Sequence, residues 1–211
     1  MGDILTDELF EKKITTEDIY KTSDDPWQQS IMLCPEKKLM VKFLADYAFK
    51  FLKARKLMDI GCGLGSFINL LKNNTPYRNI TGIDNSSTAI EKAKKLMAPY
   101  PEIKFDVIDI TNRESLYKMN EYKPDILLMS DITWCITETL PMFKQFIREN
   151  YKGKYLLHVL QIPHYQEYTT LISDHESILK YFNFDYVFDG EFFKNKDDDV
   201  KSVSYFLAKI K

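Results

Sequence analysis

A glycine-rich loop between a short apolar segment and a helical pattern constrains this chain more than any other feature. The segment 57–67 reads LMDIGCGLGSF, with glycines at Gly61, Gly63 and Gly65 and a carboxylate, Asp59, two residues before the first of them. Glycines let the backbone turn sharply and approach a ligand closely, and a following helix presents free N–H groups at its first turn. This order of elements is typical of the nucleotide-binding edge of an α/β protein.

Composition narrows the class of protein. A chain of 211 residues with 45% hydrophobic and 28% charged residues predicts one globular domain, 1–211. The formal net charge of -2 predicts no nucleic-acid partner and no anionic membrane surface as partner. We expect a cytoplasmic protein, because the sequence contains neither a membrane-spanning apolar run nor a signal peptide pattern. The three cysteines are too few and too scattered for a disulfide framework or a zinc site, so we expect no metal.

Apolar and helical patterns alternate through most of the chain. This alternation predicts a Rossmann-like, doubly wound α/β fold, with a mostly parallel sheet and helices on both faces. The residues 184–193 and 202–210 are rich in β-formers and flank a charged turn, so the last strand is predicted to be antiparallel. Ser87 is predicted as the N-cap of the helix after the second strand. The strands predicted before residue 170 are 56–60, 79–84, 103–110, 125–129 and 155–161.

The residues before the first strand predict helices. Pro35 suits the first position of a helix that runs to about Lys53, because apolar residues recur there at helical spacing. Residues 7–22 suggest one or two further short helices, which end at a turn-forming cluster, 23–27. We interpret 1–54 as an N-terminal helical segment.

The spacing of the glycines distinguishes between classes of nucleotide. A nicotinamide-binding loop would place its third glycine at position 66, where this chain has Ser66, and the chain contains no Walker G-K-[ST] sequence. The segment 59–65, DIGCGLG, instead resembles the first motif of class I S-adenosylmethionine-dependent methyltransferases. The resemblance continues in register to Asp131, across the first four strand ends. It implies S-adenosylmethionine as the cofactor and S-adenosylhomocysteine as the product.

The resemblance also implies roles for single residues. Asp84, at the end of the second strand, would accept hydrogen bonds from both ribose hydroxyls. Asp109 would contact the adenine amino group and Ile110 would pack on the purine ring. Both carboxylates could instead be helix caps or turn formers, and Cys62 could be a small filler in the loop. The full implied cofactor set is Asp59, Gly61, Cys62, Gly63, Gly65, Asp84, Asn85, Asp109, Ile110, Ser130 and Trp27.

Candidates for the chemistry follow the fourth and fifth strands. Methyl transfer from a sulfonium requires alignment of the acceptor and in some cases removal of its proton. The segment 131–134, DITW, resembles the D-P-P-Y pattern of enzymes that methylate exocyclic amines, but it lacks both prolines, which disfavours a DNA base. Asp131, His158, His164 and Tyr165 are therefore the candidate catalytic residues. His158 lies within a strand, where a packed core histidine is the alternative.

The turn Asp25-Pro26-Trp27 and the general layout resemble the nodulation N-methyltransferases, which act on sugar-derived acceptors among other small molecules. The resemblance implies that the N-terminal segment, 1–54, is a lid over the cofactor, with Trp27 covering the site. Trp27 could equally anchor this segment to the core. The implied function is methyl transfer to an oxygen or nitrogen of a small molecule, with carbohydrate biosynthesis as the setting, by a monomer or homodimer.

Two other functions stay open at this point. A methyltransferase acting on RNA or protein would be supported if Lys92, Lys94, Lys95 and Lys104 formed a basic cluster, although such lysines more often form a solvated helix face. A non-catalytic cofactor-binding protein is the other alternative, and the intact glycine loop and Asp84 disfavour it.

Overall fold

Seven strands form one sheet, whose order is β3-β2-β1-β4-β5-β7-β6. The computed structural model describes residues 15–28, 34–164, 172–194 and 200–211. The strands are β1 (Lys56–Ile60), β2 (Asn79–Asp84), β3 (Lys104–Val107), β4 (Ile126–Ser130), β5 (Tyr155–Pro163), β6 (Asp185–Phe193) and β7 (Val200–Lys209).

Helices connect the strands along the chain. The described α-helices are α1 (Thr16–Thr22), α2 (Pro35–Phe51), α3 (Ser66–Asn74), α4 (Ser87–Leu96), α5 (Arg113–Leu116), α6 (Leu140–Asn150) and α7 (His175–Phe182). Two 3-10 helices, Tyr117–Glu121 and Thr133–Ile136, follow α5 and β4. Pro35 opens α2 as the sequence predicts, because proline needs no N–H partner at that position.

The pairing of the strands confirms the predicted fold class. The first five strands pair in parallel, whereas β7 is antiparallel to both β5 and β6. The sheet order reverses between β1 and β4, the two strands that continue to opposite edges of the sheet. Ligands of open α/β sheets bind in the crevice at such a switch point, beyond the carboxyl ends of the strands.

The core lies on both faces of the sheet. The strand β4 is fully buried from Ile126 to Met129, which explains its uninterrupted apolar sequence. One apolar cluster includes Phe143 of α6 and Phe182 of α7, and the other includes Leu44 of α2 and Leu71 of α3. Burial on both faces makes the central strand ends rigid supports for the side chains that follow them.

Two predicted details are wrong. The N-cap of α4 is Ser86 and not Ser87, since the Ser86 hydroxyl accepts a hydrogen bond from the Ala89 N–H at 3.0 Å. The third strand spans only Lys104–Val107, so Asp109 follows the strand and does not belong to it.

The described residues lack two features that would change the class of protein. No helix in this part of the chain is long and apolar enough to cross a membrane. The same residues contain no cluster of histidine, cysteine or carboxylate side chains that could hold a metal ion.

Candidate active site

The glycine loop turns directly after β1. Gly61 has a φ of +69°, and a Cβ there would lie 2.3 Å from the Cδ1 of Ile132, which follows β4. Gly65 has a φ of +79° and is the N-cap of α3. The N–H groups of Gly61 and Cys62 donate to the Ile83 carbonyl at 2.8 and 3.0 Å. The turn therefore needs glycine both for its backbone conformation and for its contact with Ile132.

Asp59 is a buried carboxyl at the end of β1. The residue is 3% exposed, and its Oδ2 has no hydrogen-bond partner among the described residues. Burial, together with the nearby charge of Asp84, raises the pKa of Asp59 to about 8. A buried carboxyl without a partner is costly unless a ligand completes its hydrogen bonds.

Asp84 is the second buried carboxyl, at the end of β2. Its Oδ2 accepts a hydrogen bond from the Gly63 N–H and its Oδ1 accepts one from the Ser86 N–H, each at 2.9 Å. Burial raises the pKa of Asp84, while hydrogen bonds from backbone N–H groups act in the opposite direction. The carboxylate thus connects the glycine loop to the segment that begins α4.

Other residues of the implied cofactor set lie around these two carboxyls. Ile110 is 6% exposed and packs in the core, and the Ser130 Oγ is buried without a partner among the described residues. The Oδ1 of Asp109 accepts hydrogen bonds from the Thr111 N–H at 2.8 Å and the Thr111 hydroxyl at 2.7 Å. This side chain therefore stabilises its own turn, which is one of the readings that the sequence left open.

Cys62 packs inward from the glycine loop. It is 5% exposed, and its Sγ would lie 2.8 Å from a Cβ added to Gly82 of β2. Burial raises the pKa of the Cys62 thiol well above its ordinary value, with Asp59 adding to the effect. The thiol is a filler between strands and does not face a ligand as a nucleophile.

The N-terminal helix α1 covers the carboxylate at the end of β2. Tyr20 is 2% exposed and forms a small apolar cluster with Leu64 of the glycine loop and Ala89 of α4. Burial and the charge of Asp84 raise the pKa of Tyr20, and the Trp27 side chain hydrogen-bonds its hydroxyl. Trp27 itself is 43% exposed, so it braces Tyr20 from the solvent side.

Asp131 joins three parts of the chain beyond the end of β4. Its Oδ2 pairs with the Lys37 ammonium of α2, and its Oδ1 accepts a hydrogen bond from the Gln161 N–H at 2.8 Å. Asp131 has a φ of +57°, a conformation that few residues other than glycine adopt. Sequence reasoning missed Lys37, because 94 residues separate the two partners and no motif marks the lysine.

The remaining catalytic candidates differ in their accessibility. His158 is fully buried, stacks on Phe206 with ring centroids 4.9 Å apart, and shares a 2.7 Å hydrogen bond with the Thr133 hydroxyl. Burial lowers the pKa of His158 to about 3. These are the properties of a packed core histidine, the alternative that the sequence left open.

His164 and Trp134 lie on the segments that follow β5 and β4. His164 is exposed directly after β5, and the Trp134 indole N–H donates to the Gln161 carbonyl at 2.9 Å. Tyr165 lies outside the described residues. The structure therefore places Asp131, Trp134 and His164 on the segments that follow β4 and β5.

A doubly wound sheet with a glycine loop after β1 and carboxyls at the ends of β1 and β2 defines a class I methyltransferase. The chain belongs to the family described as "Methyltransferase domain", whose model matches residues 52–159, just over half of the chain. S-adenosylmethionine is the methyl donor of this class, and the transferases concerned are grouped under EC 2.1.1.

Solved structures support the same fold. The N-methyltransferase NodS from Bradyrhizobium japonicum, in complex with S-adenosylhomocysteine, aligns with a TM-score of 0.62 at 14% identity over 88% of this chain and 93% of NodS. A SAM-dependent methyltransferase from Anabaena variabilis gives 0.63 at 16% identity, over 92% of this chain and 93% of the other.

TehB from Haemophilus influenzae is a further structural neighbour. It aligns with a TM-score of 0.58 at 17% identity, over 80% of this chain. This chain spans 62% of the length of TehB. At these identities the three neighbours establish the fold and leave the acceptor undefined.

Proposed function

We propose that this methyltransferase transfers the methyl group of S-adenosylmethionine to an oxygen or nitrogen of a small molecule. The observation that carries the proposal is the pair of buried carboxyls, Asp59 and Asp84, on either side of the glycine loop. A donor that carries an ammonium, a sulfonium and a ribose diol supplies both positive charge and hydroxyl donors for such a pair.

The unpaired oxygen of Asp59 tests whether the cofactor fits. A cation close to Asp59 favours the ionised carboxylate and completes the hydrogen bonds of Oδ2, which is buried and without a partner among the described residues. We assign the cofactor ammonium to Asp59, with the buried Ser130 hydroxyl as a second polar group at the neighbouring strand end. When it is bound, the cofactor supplies an electrophilic methyl group on its sulfonium.

Asp84 is proposed to hold the ribose. Its oxygens accept backbone hydrogen bonds from Gly63, Ser86 and Asn85, and a carboxylate offers about four acceptor sites, so the carboxylate retains capacity for a further donor. Gly61, Gly63 and Gly65 provide the close backbone approach. Asp109 and Ile110 are proposed to contact the adenine at the end of β3, and Asn85 to border the ribose beside Asp84.

Asp131 is proposed to orient the acceptor. Its carboxylate is held from two sides by Lys37 and the Gln161 N–H, so its position is defined before an acceptor arrives. Trp134 gives an aromatic surface beside it, and the exposed His164 is the proposed group for removing an acceptor proton. Tyr165, the next residue in the chain, stays a further candidate.

The preference for a small acceptor follows from the surroundings of the cleft. The helix α1 packs on the glycine loop at one side of this edge, and α2 contributes Lys37 at the other, so both N-terminal helices border the proposed acceptor site. Lys92, from the candidate basic cluster, donates to the Tyr20 and Ser23 carbonyls and pairs with Asp24, so it is engaged by α1 and the residues that follow it. A sugar or sugar-derived acceptor suits Asp131 and Trp134, since carboxylates bind hydroxyls and aromatic rings cover sugar faces.

A screen for product release tests this proposal. Purified protein would be incubated with S-adenosylmethionine and a panel of amino sugars, sugar nucleotides, polyols and small amines, with S-adenosylhomocysteine release as the readout. We expect turnover on at least one hydroxyl- or amine-bearing small molecule. Turnover restricted to RNA or protein fractions, with every small molecule inactive, would contradict the proposed acceptor class.

A further inference from the structure

Glu17 of α1 contacts the first turn of α4 through both carboxylate oxygens. Its Oε2 accepts from the Ser86 hydroxyl at 2.7 Å and the Thr88 N–H at 3.2 Å, and its Oε1 accepts from the Thr88 hydroxyl at 2.7 Å and the Ser87 hydroxyl at 3.2 Å. Hydrogen bonds from the side chains of Thr88 and Ser86 hold the pKa of Glu17 at about 2. The carboxylate is therefore ionised at neutral pH and lies at the positive end of the helix dipole.

Lys92 of α4 binds the C-terminal end of α1. Its ammonium donates to the Tyr20 carbonyl at 2.8 Å, to the Ser23 carbonyl at 2.9 Å and to the Asp24 Oδ1 at 3.3 Å. These carbonyls lie at the C-terminal end of α1, where a cation is favourable. Two contacts therefore join α1 to α4. Glu17 near the N-terminus of α1 contacts the first turn of α4, and Lys92 of α4 contacts the C-terminal end of α1.

The helix α1 is connected through Ser86 to Asp84, the residue proposed to hold the ribose. Glu17 accepts a hydrogen bond from the Ser86 hydroxyl, while the N–H of the same Ser86 donates to the Asp84 Oδ1. Between the two fastening points, Tyr20 packs on Leu64 of the glycine loop. A displacement of α1 would therefore disturb both the Ser86 backbone that donates to Asp84 and the packing of Tyr20 on Leu64.

We propose that Glu17 is a positioning residue for cofactor binding. Its hydrogen bonds fix the position of residues 86–88, and the Ser86 N–H in turn donates to the Asp84 carboxylate. The same contacts keep Tyr20 packed on Leu64 of the glycine loop. Because α1 and the cofactor stabilise the same arrangement, docking of the helix and binding of the cofactor are thermodynamically coupled. The inference rests on the proposed location of the ribose at Asp84, and its test separates the two.

The decisive variant is Glu17→Gln, which keeps the size of the side chain and removes its charge. We expect the dissociation constant for S-adenosylhomocysteine, measured by calorimetry, to rise about tenfold, which corresponds to about 1.4 kcal/mol of lost coupling. Thr88→Val removes a hydroxyl donor from the other side of the contact. The double variant should lose less affinity than the product of the single effects, since both remove one interaction.

Asp18→Asn is the matched control on the same helix. The Asp18 carboxylate accepts from the Thr15 N–H and hydroxyl, so this change weakens the start of α1 without touching the contact with α4. We expect its affinity for S-adenosylhomocysteine to stay within about twofold of the wild type. A loss equal to that of Glu17→Gln would show that general helix stability is responsible, which would overturn the proposal.

Hydrogen exchange gives a readout that does not depend on affinity. S-adenosylhomocysteine should increase the protection of the α1 amides in the wild type, and it should do so much less in Glu17→Gln at equal occupancy. If Asp84→Ala weakens binding and Glu17→Gln does not, the inference about Glu17 fails while the ribose site stands. If neither change weakens binding, both fail.

Discussion

The two halves of the carboxyl edge of the sheet are built differently. The half around β1 and β2 places Asp59, the glycine loop and Asp84 within one βαβ unit, and its polar contacts link neighbouring strand ends. The half around β4 and β5 depends on partners far apart in sequence, since Lys37 pairs with Asp131 across 94 positions. The local half matches a recognisable motif, whereas the assembled half contains the residues that we propose contact the acceptor.

The two halves meet at Gly61, which gives the largest expected effect. Gly61→Ala should lower the free energy of unfolding by about 3 kcal/mol, because the positive φ is strained for alanine and the new Cβ collides with Ile132. Urea unfolding measures the loss. Gly153→Ala is the control: φ is +82° there, but the nearest atom, the Lys209 Cε, is 3.9 Å away. Equal losses in both variants would contradict a role for the contact with Ile132.

Asp84 tests the local half directly. Asp84→Ala should weaken binding of S-adenosylhomocysteine by about 1.5–3 kcal/mol, the range expected for hydrogen bonds to a charged group. Calorimetry measures the affinity, and thermal unfolding checks that the variant is folded. Asp109→Ala should cost less, since that carboxylate already hydrogen-bonds Thr111. An unchanged affinity in Asp84→Ala would remove this residue from the cofactor site.

Asp59, in the half around β1 and β2, should make the stability of the protein depend on pH, because its carboxyl is buried. Burial raises the pKa of Asp59 from its ordinary value of 3.8 to about 8, so the folded state binds more protons than the unfolded state between these pH values. The contribution of Asp59 to stability is therefore fully present below about pH 4 and is lost as the pH rises through about 8.

Asp59→Asn cannot titrate and should abolish this loss. We expect the variant to come closest in stability to the wild type at about pH 4 and to be more stable than it by at least about 2 kcal/mol at pH 9, in the absence of cofactor, because an ionised buried carboxyl without a partner is costly. Urea unfolding at the two pH values gives the comparison. A stability difference that does not change with pH would show that Asp59 does not titrate in this range.

Lys37 tests the assembled half, with the smallest expected effect. Lys37→Met should lower the turnover number about fivefold, equivalent to about 1 kcal/mol, because Asp131 loses the ammonium that holds it. Affinity for S-adenosylhomocysteine should not change, since the pair lies beyond β4. Lys42→Met, at an exposed position of the same helix, is the comparison variant. If Lys37→Met instead weakens cofactor affinity and leaves turnover unchanged, Lys37 acts on the half around β1 and β2 and not on Asp131.

The accuracy of the sequence predictions follows the same division. The bounds predicted for β1 and β2 agree with the structure, and the antiparallel last strand is confirmed, because alternating apolar segments record burial locally. The third strand is shorter than predicted, since Asp109 and Ser115 take up backbone N–H groups beyond Val107. Hydrophobic pattern alone does not reveal such side-chain competition.

His158 and Lys37 show what a linear pattern cannot supply. A histidine within a strand is compatible with catalysis in the sequence alone, and only the packing of Phe182 and Phe206 around His158 shows that it is buried. Lys37 is one of many lysines on exposed helix faces, and only its approach to Asp131 distinguishes it. Both outcomes depend on contacts between distant segments, which leave no periodic signal in the sequence.

The sequence by itself determined the class of this protein. The glycine spacing, the carboxyls at successive strand ends and the alternation of elements are local properties, and each follows from a backbone that must turn sharply beside a parallel sheet. The tertiary structure decided which side chains are accessible and paired. Glu17 of α1 contacts α4, Lys37 pairs with Asp131, and His158 is buried in the core. Burial and long-range pairing exist only once the chain has folded, because they depend on which segments pack together.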